Sequence, residues 1–137
     1  MAVIKELIRE EGNGLLSFGD YTLETKAKKS DFEHCGDLYK VKTFKEITKL
    51  EKNGLFVYES VQGTVVNHLD ITEKEVNFVV EGYTDSQITL ELEAEREYRI
   101  YIDDANAGKM KTNAGGKLML SVELNQGEES KIRIVRI

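Results

Sequence analysis

Short apolar alternations, each closed by a reversal built from Gly, Asn or Asp, constrain this chain more than any other feature. Val76, Phe78 and Val80 alternate with polar neighbours, as do Ile88, Leu90 and Leu92, then Tyr98, Ile100 and Ile102. Leu118, Leu120, Val122 and Leu124 follow, then Ile132 and Ile134. A period of two puts each apolar set on one face of a strand and its polar neighbours on the other. Reversals fall between the sets, at Glu81-Gly82, Asp103-Asp104-Ala105-Asn106, Asn113-Ala114-Gly115-Gly116 and Asn125-Gln126-Gly127. Regular strands with short reversals predict an all-β chain folded as an antiparallel β-sandwich.

The first half is less regular. Gly12-Asn13-Gly14 separates Val3–Glu10 from Leu15–Phe18. Asn53-Gly54 is the strongest hairpin signal, because a type I′ turn needs positive φ at both positions; it joins Glu46–Lys52 to Leu55–Val61. Gln62-Gly63-Thr64 precedes Val65–Leu69. Two segments admit a helical reading. In residues 2–11, Val3, Ile4, Leu7 and Ile8 fit a helix face as well as a strand, and strand is preferred; Phe44–Thr48 has room for a helical turn. Polar residues cluster at Asp70–Lys74, so the expected organisation is an N-terminal β unit, 1–72, and a C-terminal sandwich-like unit, 73–137, packed tightly because no Gly/Ser/Pro linker separates them.

Composition then removes function classes. Lys and Arg number 19 against 25 Asp and Glu, a net charge of -6, which disfavours a nucleic-acid binder. No apolar run approaches the roughly 18 residues of a membrane helix, so no membrane partner is expected. The start, Met-Ala-Val-Ile-Lys-Glu, has no long apolar stretch, which predicts a cytoplasmic protein or one exported without a Sec signal. One cysteine, Cys35, excludes an intrachain disulfide and a cysteine zinc site. Charge is uneven: five lysines against Glu46 and Glu51 make residues 40–52 +3, and six acids against Arg96 and Arg99 make residues 91–104 -4. Such faces are usually solvated, though opposite patches also suit head-to-tail contact between copies.

Candidate chemistry is sparse. Glu91, Glu93 and Glu95, read as one strand face, stand about 7 Å apart in succession, a spacing known for inverting glycosidases. They lie opposite the buried face, where nothing raises a carboxyl pKa for general-acid work. His68 and Asp70 share a strand face, but no nucleophile-elbow pattern surrounds any serine. His34 and Cys35 are adjacent, so in extended chain they point apart, and Cys35 is expected buried or half-buried. Asp103-Asp104-Ala105-Asn106 lacks the closing glutamate of a calcium loop and reads as a turn. No catalytic residue, metal site or cofactor is therefore expected. Tyr83, beside a Gly turn, and Tyr101, out of phase with the core set, are the candidate binding residues, because exposed tyrosines stack on sugars and anchor protein partners.

Two resemblances add to this reading. Tyr98-Arg99-Ile100-Tyr101-Ile102-Asp103, Gly108, Thr112, Gly115-Gly116-Lys117-Leu118 and Lys131-Ile132-Arg133-Ile134 resemble C-terminal β-sandwich modules of polysaccharide-acting enzymes. Nearly the whole chain resembles small uncharacterised proteins of anaerobic Gram-positive bacteria that carry the label endosialidase. That likeness rests on Ser17-Phe18-Gly19-Asp20-Tyr21, Gly36-Asp37-Leu38-Tyr39-Lys40-Val41-Lys42-Thr43, Ile47-Thr48-Lys49-Leu50-Glu51-Lys52-Asn53-Gly54 and Tyr58-Glu59-Ser60. Sialidases grip their substrate with three arginines on a propeller bearing Ser-x-Asp-x-Gly-x-Thr-Trp boxes. This chain has five arginines, no such box and no Trp, and 137 residues are too few for six four-stranded blades. The expectation is a non-catalytic binding or interaction module, glycan-associated, with a self-assembling structural protein as the alternative and a glycoside hydrolase a distant third. A homo-oligomer is expected, and Lys131–Ile137, if it forms a sheet edge, is where another copy pairs.

Overall fold

The computed structural model describes residues 3–137. Thirteen strands form two antiparallel sheets: β1 Ile8–Glu10, β2 Leu16–Phe18, β3 Ala27–His34, β4 Asp37–Phe44, β5 Ile47–Lys52, β6 Leu55–Val61, β7 Val65–Ile71, β8 Glu75–Glu81, β9 Ser86–Glu91, β10 Glu97–Ile102, β11 Ala105–Lys111, β12 Lys117–Val122 and β13 Glu129–Arg136. One sheet has the order β1-β2-β7-β8-β13-β10-β11 and the other β12-β9-β6-β5-β4-β3. The predicted all-β antiparallel sandwich is the observed architecture. Both sheets take strands from either side of residue 72: β7 pairs with β8 across it, and β6 pairs with β9. The stretches 1–72 and 73–137 thus interleave and share one core, which runs from Phe18, Leu50 and Tyr58 through Phe78, Ile88, Ile100, Leu118 and Ile134.

The alternating sets do what their period requires. Val76, Phe78 and Val80 in β8, Ile88 and Leu90 in β9, and Ile132 and Ile134 in β13 are buried. The Asn53-Gly54 hairpin forms with φ of 51° and 80°. Asp103 and Asp104 take the same left-handed conformation, φ 51° and 66°, between β10 and β11. Four expectations change. Of residues 2–11, Ala2 lies outside the described residues, and the rest supply only the short strand Ile8–Glu10. The Phe44–Thr48 segment is no helical turn: Phe44 pairs with Ile47 across a tight hairpin. The strand read through Glu95 ends at Glu91, leaving Glu93 and Glu95 in the loop before β10. Finally, β13 is not an edge, because it lies between β8 and β10 and both its sides are paired. No second copy can add to it there.

The true edges are β1, β11, β12 and β3. Of these, β3 carries Lys28 and Lys29 with a register break before Phe32, and β11 carries Lys109 and Lys111 after a register break that leaves Ala107 unpaired. Lysines and bulges are how sheets blunt open edges, and they serve here in a chain without proline. Inside, the buried hydroxyls of Thr43, Thr48, Tyr58, Ser60 and Thr64 form one connected seam. Tyr58 Oη and Ser60 Oγ each lie 2.8 Å from Thr64 Oγ1. Thr48 Oγ1 donates to Thr64 O at 2.8 Å and meets Thr43 Oγ1 at 2.8 Å. Each polar group thereby keeps a partner away from water, and burial pushes the Tyr58 phenol far above its ordinary range.

Candidate binding site

At one end of the sandwich the hairpin tips of β3–β4 and β5–β6 overhang the ends of β2 and β7. Between them opens a cleft of about 340 Å³. Its apolar floor comes from both sheets: Leu16 and Leu69 from one, Tyr39 and Val57 from the other. Val57 reaches the floor because β6 shifts register between the Leu50–Tyr58 and Glu51–Phe56 pairs, leaving it without a partner of its own. Such a bulge re-aims a side chain that strict alternation would send to solvent. Around the floor stand Asp37, Lys52, Asp70 and Glu91. A second, more open groove of about 560 Å³ shares Ile71 and Glu91 and continues to Glu73, Glu93 and Arg136.

His34 closes the inner wall. It is buried, with Nδ1 2.8 Å from Glu10 Oε1 and Nε2 2.9 Å from Gly14 O. Both neighbours are acceptors, so the ring ties β3 to the turn Gly12–Gly14 through whichever nitrogens carry protons. Its edge meets the Tyr39 ring at 5.8 Å and holds that phenol over the floor. Burial in turn raises the Tyr39 phenol above its ordinary range. Cys35 does not behave as extended chain. It takes φ 51° in the β3–β4 turn, is exposed, and places Sγ 3.7 Å from His34 Nε2. The expected burial of Cys35 and its separation from His34 are both overturned by that left-handed turn.

The carboxylates at the rim are held in different ways. Asp37 accepts from Asn53 Nδ2 at 2.9 Å and faces Lys52 Nζ at 3.4 Å. The Asn53 amide first, then Lys52, hold its carboxyl below the usual range. Glu91 is ion-paired to Lys117 across the β9–β12 ladder. Asp70 is exposed at the end of β7. Compared with protein-family models, curated proteins and solved structures, the chain matches none.

The two tyrosines singled out from the sequence lie elsewhere and apart. Tyr101 is half-buried on the outer face of the seven-stranded sheet, with the Arg133 guanidinium 5.5 Å from its ring centre. Tyr83 is 49% exposed in the loop after β8 and stacks edge-on against Tyr21 at 4.9 Å. Tyr21 itself donates to the buried Glu81. The other candidates are accounted for by the fold. Asp103 accepts from Ser130 Oγ and the Lys131 amide, Glu93 pairs with Arg96 and Arg136, and His68, at φ 57° in the β7 register break, faces Glu11 at 3.5 Å.

Proposed function

We propose that this protein is a non-catalytic binding module whose ligand site is the cleft at the β3–β4 end, and that the ligand is a hydroxyl-rich molecule of carbohydrate type. The observation that carries this reading is the convergence of an apolar floor, including the Tyr39 ring, with the acceptor oxygens of Asp37, Asp70 and Glu91 in one concavity. A sugar offers a C–H face to the floor and hydroxyl donors to the carboxylates. The same geometry supports binding over turnover. A general acid needs a carboxyl kept protonated by its surroundings; Asp37 is shifted the opposite way, and Glu91 is engaged by Lys117.

The test is an amide-shift titration by NMR with a panel of neutral oligosaccharides. A binder moves the resonances of Tyr39, Val57 and Asp70, and Tyr39→Ala abolishes the response while leaving the circular dichroism spectrum unchanged. Shifts centred on Tyr83 or Tyr101 would move the site to the tyrosines chosen from the sequence. Release of sialic acid from polysialic acid, lost in Glu93→Gln, would sink the non-catalytic reading.

A further inference from the structure

The outer face of the six-stranded sheet carries a lysine array that the cleft does not use. Val41 and Thr43 in β4, and Thr48 and Leu50 in β5, point into the core, so Lys40, Lys42 and Lys49 point out. Register then sets Lys28 of β3 opposite Lys42 of β4, and Lys42 opposite Lys49 of β5. Three like charges stand in one row at the strand spacing of about 4.8 Å, with Lys40 displaced along β4 by about 6.8 Å. Lys26 flanks the row, its Nζ 5.8 Å from the Phe44 ring centre. None of these five lysines forms an ion pair with a described residue, whereas Lys45, Lys52, Lys117 and Lys131 all do. Lys40 and Lys28 are the main reasons the Lys42 ammonium is held below its usual range.

Like charges directly opposite one another weaken a sheet. Edge protection explains Lys28 and Lys29 on β3, and Lys40 and Lys49 have Glu51 and Glu59 opposite them in register, but Lys42 stands between lysines on both sides. In a chain of net charge -6 the array runs against the overall balance. We infer that this face binds an anionic polysaccharide, whose spaced negative charges lie along the Lys28–Lys42–Lys49 row and between Lys26 and Lys40.

The chemistry of the face selects this occupant. It holds no arginine, the side chain that suits bidentate phosphate recognition. Single-stranded nucleic acid needs open aromatic platforms. Here Phe44 lies under Lys26 and Phe56 under Lys117, whose Nζ is 4.3 Å from the ring centre. A protein interface needs an apolar centre, and the exposed large apolar residues of this sheet, Leu38, Leu55, Val61 and Met119, lie outside the Lys28–Lys42–Lys49 row. Ammonium groups in a wet, flat array suit carboxylate or sulfate groups on a flexible polymer.

The experiment measures binding of heparin and of polygalacturonate to the whole chain as a function of salt. Binding to at least one is expected, steeply weakened by salt. In the variant Lys28→Gln/Lys42→Gln/Lys49→Gln, affinity falls by roughly tenfold or more and the salt dependence becomes shallower, as fewer counterions are exchanged. Its melting temperature stays level or rises, because repulsion across the ladder is removed. Lys74→Gln/Lys109→Gln/Lys111→Gln, with the same change in net charge, keeps wild-type affinity. Asp70→Ala, which alters the cleft, keeps it too, so failure of the cleft reading is separable from failure of this one. Three results overturn the inference: binding to neither polymer, equal binding by both triple variants, or tighter binding of single-stranded oligothymidylate than of either polysaccharide.

Discussion

Asn53 does two things in the turn between β5 and β6. Its left-handed backbone lets the hairpin close, and its side chain reaches sideways to a second hairpin, donating to Asp37 and accepting from the Leu38 amide at 2.9 Å. Replacement by glycine keeps the backbone conformation and removes the amide. Asn53→Gly is therefore expected to raise the Asp37 titration midpoint toward 3.8, read by carboxyl chemical shifts. The sign follows from linkage. A depressed folded-state pKa contributes stability above the unfolded value, and that contribution disappears as pH falls through the folded one. The wild type should thus lose a little stability in the acid range that the variant has already lost. Lys52→Gln should lift the midpoint less, because the Asn53 hydrogen bond is the larger influence. An unchanged midpoint in Asn53→Gly would remove the amide from the account of the rim.

The β6–β7 connection runs close against the end of β4 and the β4–β5 turn. A Cβ at Gly63 would lie 2.0 Å from Phe44 O, backbone that cannot swing aside. Gly63→Ala must part the two connections, and a loss of about 3 kcal/mol in urea unfolding is expected. Gly12→Ala meets nothing within 4 Å and should be near neutral. Strands such as β8, β9 and β13 were legible in the sequence because one face of each is buried, and burial writes a period of two. By contrast, β3 and β11 went unread. All of β11 is exposed and β3 buries only His34 fully, so neither has an apolar face to write. The cleft was hidden for another reason. Tyr39, Val57, Leu69 and Asp70 come from separate strands, and Val57 faces it only through a bulge that alternation does not announce. The lysine array was visible as a charge window, but its alignment depended on the register of β3, a strand whose apolar pattern is absent.

Over the whole molecule, the interleaving of strands makes the two halves of the chain interdependent. Residues 1–72 hold only β1, β2 and β7 of the seven-stranded sheet, and β12 and β9 of the other come from 73–137. Deleting Ile134–Ile137 removes Ile134, fully buried and paired with both Val76 and Ile100. The expected result is an unfolded or aggregating chain by circular dichroism and light scattering, not a folded protein of altered oligomeric state. A folded truncation would show that β13 is dispensable to the core.

The central place of β13 also bears on how the protein is made. On a ribosome, β8 and the β10–β11 hairpin emerge before the strand that joins them, so they wait with facing edges open. Pairing across such sequence distances is slow, and open edges invite association with other nascent chains. Synthesis therefore passes through a stage when the sheet is a gap with two banks, and β13 is the span that closes it.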